Sequence, residues 1–444
     1  MKQTLHLKAP GNWVNDPNGF LYFKGKYHLF YQYFPFAPVW GTMHWGHAVS
    51  EDLVHWEHLG VALFPTIEQD KNGCFSGSAV EYGGKMYLYY TGVRYDKPNP
   101  QNIHLALEDK FTSTQLMICS GDGYTFDNFQ GKREVIAPLE DRSIGDRIHT
   151  RDPKVWRGKD AWYMVLGTKN EENEGKILFY RSSDLENWTY VNSATKGAAF
   201  GNMWECPDYF ETEGGKVLVL SPMGFDDDKS HYADHAICMK VEFDEKTCAM
   251  EIPDEYQFLD YGLDMYAPQS TLDEDGRRVL VGWIRMPEAV EEKGKKSWRG
   301  MFCLPRVVEV KDGHIYFRVH PKVEQAFTKP VSYVEQADAV GYRVSFELKD
   351  KESVDIGGYK ITRRGDVICT DRTAVFPENE DYQMQFVTPA LREGFHVDAY
   401  VDENLIEVFA NGGEYVISNA VYGLKREIHA DCEGEIEIRT IDCA

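Results

Sequence analysis

Three of the acidic residues that stand just ahead of a proline are Asp16-Pro17, Asp152-Pro153 and Glu205-Cys206-Pro207. Each precedes a glycine-bearing turn by a similar interval, at Gly25, Gly158 and Gly214. Proline holds the residue before it extended and removes a backbone donor, so the acid is displayed rather than absorbed into a strand ladder. Asp16-Pro17-Asn18-Gly19 is also plain turn chemistry, and three unrelated turn acids are the bland alternative. If the three converge, like charges shift each other's pKa, and that favours catalysis. Two carboxylates acting on one bond is the logic of glycoside hydrolysis, in which one attacks the anomeric carbon and the other protonates the leaving oxygen. The neighbours suggest the roles. Trp204, Cys206 and Pro207 are expected to raise the pKa of Glu205, suiting an acid/base. Asn15 and Asn18 are expected to keep Asp16 ionised as a nucleophile. Asp152, beside Arg151, is expected to stay ionised and to accept hydrogen bonds from sugar hydroxyls.

Positioning three distant acids needs a repeating scaffold. Five similar segments each read as strand, glycine turn, strand: FLYFKGKYHLFYQY, AVEYGGKMYLYYTG, KVWRGKDAWYMVLG, DYFETEGGKVLVLS and STLDEDGRRVLVGW. They recur about every 60 residues, longer than a usual propeller blade. A second echo, SEDLVHW ending at Trp56 and SSDLENW ending at Trp188, falls at a similar place in its unit. The pattern predicts an all-β fold with a five-bladed β-propeller over residues 1–310, against a β-sandwich as the alternative. The innermost strand of each blade lines the central channel, so equivalent positions converge at one end of the axis. Residues 311–340 read as a connector. From 341 to 444 come short alternating strands, with a hairpin turn at Asn411-Gly412-Gly413, which predict a C-terminal β-sandwich.

Composition narrows the partners. The chain has 444 residues, 43% hydrophobic and 27% charged, enough for two or three domains with a large core. Its 26 Tyr and 10 Trp offer aromatic faces that suit sugars as well as cores. A net charge of −23 argues against nucleic acid and anionic membranes. Nine cysteines lie scattered, with no Cys-x-x-Cys pair. That reads as reduced thiols, and the N-terminus has no apolar signal region, so a cytoplasmic location is expected. His44, His47, His55 and His58 sit on strands and turns without a zinc motif, so no metal is expected. Cys206 reads as a small apolar neighbour of Glu205, and the acidic stretch FDDDKS (225–230) as a solvated loop.

These motifs together resemble glycoside hydrolase family 32, the invertases and β-fructofuranosidases. WVNDPNG (13–19) resembles the family's nucleophile motif, RDP (151–153) its transition-state stabiliser motif and ECPD (205–208) its acid/base motif. WGTMHWGHAVSEDLVHW, FSGSAV, DMYAPQS, GWIRM, RGMFCLPR and LIEVFANGGE resemble further blocks in the expected order. The resemblance implies a propeller plus sandwich, retention of configuration and no cofactor. It implies that Asp16 attacks C2 of a fructosyl unit, that Glu205 acts as acid/base and that Asp152 binds the 3- and 4-hydroxyls. Asn15, Gln32, Trp40, Ser76, Arg151 and Trp283 are expected to line the fructose pocket. Phe34 stands where many members have Asn. Sucrose and short fructo-oligosaccharides are the expected substrates. Alternatives are sucrose 6-phosphate, with Arg142, Arg147 and His149 as candidate phosphate contacts, an inverting arabinan-type hydrolase, and a non-catalytic sugar-binding propeller.

Overall fold

The computed structural model describes residues 5–225, 232–332, 341–392 and 394–441. Five separate antiparallel sheets account for most of the chain up to Val319. Their first strands are Asn12–Phe23, Cys74–Tyr82, Arg151–Arg157, Met203–Thr212 and Met265–Leu272. Each packs on the next, and the fifth packs back on the first. This is a five-bladed β-propeller, with the first strand of every blade innermost. All five sequence hairpins are the links from first to second strand. In blade one the turn falls on Lys24 and Gly25, with φ of 50° and 84°, as a two-residue primed turn requires.

The SEDLVHW and SSDLENW echo is one turn built twice. Ser50 Oγ accepts the Leu53 N–H and Ser182 Oγ accepts the Leu185 N–H. Leu53 and Leu185 are both left-handed, and the Trp56 and Trp188 indoles donate to their carbonyls.

Blade five takes its outer strands from Arg306–Lys311 and His314–Val319. The blade therefore runs past residue 310 into the stretch expected as a connector, because a four-stranded blade needs that last hairpin. A short strand at Trp298–Arg299 lies parallel to Asn12 and Trp13 and ties blade five to blade one. Most of FDDDKS and the end of the expected connector lie outside the described residues.

A six-stranded and a five-stranded sheet from residues 329–440 face each other around Val344, Ile356, Ile361, Val397, Val408 and Ile417. This is the C-terminal β-sandwich. Its join to the propeller is both apolar and charged. Phe317 and Phe327 share a core with Tyr400 and Phe409. Arg306 is fully buried and donates to Asp260, Glu407 and Ser418. His6 bonds Asp402 and Glu407. Burial alone would depress its pKa, but those two carboxylates outweigh burial and push it up to about 9. Among the described residues no helix is long and apolar enough to cross a membrane.

Candidate active site

Every innermost strand is interrupted at the same level. In blade three, Arg151 pairs with Gly167 and Lys154 with Val165, so two residues oppose one. Blade four does the same between Glu205 and Asp208, blade five between Tyr266 and Gln269, blade two between Cys74 and Gly77, and blade one between Val14 and Pro17. These are β-bulges, which bend a strand and re-aim its side chains. In blades three to five the bulge has a tripeptide signature: Arg151-Asp152-Pro153, Glu205-Cys206-Pro207 and Tyr266-Ala267-Pro268. The middle residues are left-handed, with φ of 61°, 46° and 49°. Such a backbone costs about 1 kcal/mol or more at a non-glycine residue, and strain of this kind collects at functional sites. Gly167, facing the blade-four bulge, is required there: a Cβ would sit 1.9 Å from the Trp204 carbonyl oxygen.

The register alters one expectation. Glu205 is equivalent to Arg151 and Tyr266, whereas Asp152 is equivalent to Cys206 and Ala267. The acids converge from neighbouring rather than equivalent positions.

The bulges line one end of the channel, where a cavity of about 580 Å³ opens. All nine residues singled out from the sequence line it: Asp16, Asp152 and Glu205, with Asn15, Gln32, Trp40, Ser76, Arg151 and Trp283. Asp16 accepts hydrogen bonds from Ser76 Oγ at 2.5 Å and Asn15 Nδ2 at 3.0 Å. Asn15 is itself held by the Trp13 indole at 2.8 Å. Glu205 Oε1 accepts from Arg151 Nε and Nη2 at 3.0 and 2.8 Å, and Oε2 from the Tyr266 hydroxyl at 2.7 Å. Asp152 Oδ2 accepts the Cys206 N–H at 2.9 Å. The Cys206 thiol lies 3.7 Å from Asp16 and 3.6 Å from Asp152, and burial pushes its pKa well up. Gln32 donates to the Cys74 carbonyl at 3.0 Å. The Trp283 indole N–H is enclosed and has no acceptor among the described residues. Trp40 meets Phe75 edge-on.

Three sequence expectations fail on geometry. Trp204 does not enclose Glu205: neighbours on a strand face opposite sides, and the Trp204 indole donates to the Phe200 carbonyl on the other face. Asn18 does not serve Asp16, since its side-chain oxygen takes the Gly77 N–H. Arg151 serves Glu205 rather than Asp152.

Tyr266 escaped the sequence reading. So did Asp109, Leu105 and Met223, which also line the cavity. The repeat of two residues and a proline over three blades is the signal that would have found Tyr266.

The comparisons with known proteins agree with this picture. Residues 6–321 match the model of the glycosyl hydrolases family 32 N-terminal domain. Residues 323–440 match that of the family's C-terminal domain. The chain belongs to glycosyl hydrolase family 32.

Among family 32 relatives, a sucrose-6-phosphate hydrolase of Escherichia coli is 34% identical over 94% of this chain and 88% of its own length. A raffinose invertase of Escherichia coli is 33% identical over 94% of this chain and 89% of its own. The solved structure of a family 32 β-fructofuranosidase of Bombyx mori superposes with a TM-score of 0.83 at 29% identity, covering 99% of this chain and 94% of that one. The protein is a glycoside hydrolase.

In this family 32 site the buried carboxyls repel one another. Burial raises the pKa of Asp16; Ser76 and Asn15 oppose that, and the charge of Glu205 adds to it. Asp152 is pushed up to about 7, first by burial, with Glu205 and Asp16 adding and Arg151 opposing. Both shifts run against the expectation that neighbouring donors and Arg151 hold these acids ionised, because burial outweighs them.

A stability prediction follows for Asp152. Its carboxyl ionises near pH 4 when unfolded and near 7 when folded, so the folded state binds more protons between those values. Stability therefore falls as pH rises through that window, and the loss is complete above it. Asp152→Asn is expected to raise the unfolding free energy at pH 8 by on the order of a few kcal/mol and to change it little at pH 4. Asn tolerates the left-handed backbone. Denaturant titrations at the two pH values check this, and an equal effect at both would refute it.

Proposed function

We propose that the protein is a retaining β-fructofuranosidase that releases fructose from sucrose and short fructo-oligosaccharides. The observation that carries this is the meeting of Asp16, Asp152 and Glu205 in one cavity, where among the described residues only Glu205 is paired to a cation. Asp16 attacks C2 of the fructosyl unit while Glu205 gives its proton to the departing glycosidic oxygen. The products are an ester at Asp16 and the free leaving group. Glu205 then takes a proton from water, whose oxygen attacks C2 and frees Asp16. Asp152 accepts hydrogen bonds from the fructose 3- and 4-hydroxyls. Ring faces at Trp13, Trp40 and Phe75 take the sugar's C–H surfaces. A cytoplasmic location is proposed alongside, since all eight described cysteines are unpaired.

Charge favours an unphosphorylated substrate. Of the basic side chains lining the cavity, Arg151 is engaged by Glu205, and burial beside Arg151 lowers His149 to about 4, leaving it neutral. Arg142 faces Glu171, and Arg147 is paired with Glu140. Asp109 adds a further acid to the lining. Each of these four basic side chains is therefore paired with an acid or neutral. The relative named sucrose-6-phosphate hydrolase supports a second reading, hydrolysis of sucrose 6-phosphate.

The test offers sucrose, sucrose 6-phosphate, a β2,1 fructo-oligosaccharide and levan side by side and quantifies fructose. Sucrose or the oligosaccharide should give the highest kcat/KM. A tenfold preference for the phosphorylated sugar would install the second reading, and no fructose from any would leave only a sugar-binding propeller. The acid limb of the kcat/KM profile should also respond to Ser76. Its hydroxyl stabilises ionised Asp16, so Ser76→Ala should move that limb to higher pH by about one unit. An unmoved limb would detach Asp16 from the rate.

A further inference from the structure

The Tyr266 hydroxyl has two acceptors in reach and one proton. It lies 2.7 Å from Glu205 Oε2 and 3.0 Å from the Ser221 carbonyl oxygen. When Glu205 is ionised the phenol donates to Oε2. When Glu205 carries its proton, the phenol can turn its own to Ser221. An acid that must give and retake a proton in each turnover needs this partner held to within a few tenths of an ångström.

What holds it comes from the other domain. Tyr266 is the second residue of its strand, and Asp264 stands just ahead of that strand. Asp264 is fully buried. Its carboxylate accepts two hydrogen bonds from Arg372 of the sandwich, at 2.5 and 3.2 Å, and one from the Ala420 N–H at 2.9 Å. Its backbone carbonyl accepts the Arg285 N–H at 2.9 Å. The Arg372 guanidinium is fully buried too, donates to the Gln383 carbonyl and stacks on Phe376. The strand that carries Tyr266 is therefore anchored at its first turn by a buried ion pair across the domain join.

We propose that Arg372, through Asp264, is a positioning residue for Tyr266, and that the C-terminal sandwich thereby tunes proton transfer at Glu205. This rests on the reading of Glu205 as acid/base. The sandwich then contributes to the reaction without touching substrate. Other charges face the same groups. Arg151, Asp16 and Asp152 face Glu205, while the Arg285 guanidinium lies 5.2 Å from the Tyr266 ring centroid and Asp234 acts on its hydroxyl. Tyr232 faces the ion pair itself: its hydroxyl donates to Asp264 Oδ1 and accepts from Arg372 Nη2, each at 3.2 Å.

The test compares wild type, Tyr266→Phe, Arg372→Lys and Asp264→Asn on two fructosides, one with a poor alkyl leaving group and one with a good aryl leaving group. Asp264→Asn keeps the side chain's shape and serves as the second variant should Arg372→Lys fail to fold. Losing the phenol's hydrogen bond to ionised Glu205 should move the alkaline limb of kcat/KM to higher pH, by roughly one unit in Tyr266→Phe. Arg372→Lys and Asp264→Asn should move it the same way by less. They should also slow the poor leaving group several-fold more than the good one. Combined with Tyr266→Phe, neither should move the limb further.

Equal slowing of both substrates with an unmoved limb would make the ion pair merely structural and overturn the proposal. So would a shift that adds to that of Tyr266→Phe. Glu205→Gln, measured in parallel, separates the two layers. If it shows no leaving-group dependence, the acid/base reading itself fails. If it does and the ion-pair variants do not, only the role of Arg372 fails.

Discussion

Asp16→Asn should abolish turnover while leaving the fold intact. Loss of a covalent nucleophile costs about 10⁴-fold or more in kcat, because the remaining groups cannot form the intermediate. Asn fills the same volume; its one carbonyl oxygen can accept from Asn15 while its amide donates to the Ser76 hydroxyl. The folded state should not suffer, since Asp16 is a buried carboxyl whose ionised form is already disfavoured by burial. The variant is therefore expected to melt at or above the wild-type temperature. Sucrose turnover together with a thermal melt checks both halves. A folded Asp16→Asn protein with kcat within tenfold of wild type would remove Asp16 from the chemistry.

Glu205→Gln should act selectively. Gln preserves a carbonyl oxygen for Arg151 and turns its amide toward the Tyr266 hydroxyl, but cannot donate a proton from a carboxyl group. General acid catalysis contributes about 10²–10⁴-fold, and the need for it falls as the leaving group becomes more stable as an anion. Sucrose should lose activity across that whole range. An activated aryl fructoside should form the fructosyl-enzyme at a rate much nearer wild type and then stall, because water no longer meets a base. A burst of aryl alcohol followed by slow steady turnover is the expected trace. Equal losses on both substrates, with no burst, would argue against the acid/base role.

The scaffold was largely legible because its signals are local. A glycine turn between two β-rich runs specifies a hairpin wherever it occurs, and five such hairpins fixed the blades. The three acids were legible for a related reason: proline beside an acid marks a break in the ladder, and each break proved to be a bulge. Electrostatics was not legible, because it depends on which face a residue occupies. Trp204 is adjacent to Glu205 in sequence and points away from it. Arg151 is adjacent to Asp152 and reaches across a blade to Glu205 at 2.8 Å. Tyr266 and Arg372 act from 61 residues beyond Glu205 and from the other domain, and no window on one stretch of chain contains both ends of such a contact. Phe34 is a smaller case. It packs against Trp13 and Met43 in the wall beneath the cavity, so its departure from the family pattern is felt through packing rather than by touching sugar.

The most direct test of the account is the configuration of the first product. With methanol present as a competing acceptor, sucrose cleavage yields methyl fructoside, whose anomeric configuration is read by NMR before it can equilibrate. Two displacements, by Asp16 and then by methanol, predict methyl β-fructofuranoside. The α anomer would mean a single displacement by an activated acceptor, and would contradict a covalent intermediate at Asp16.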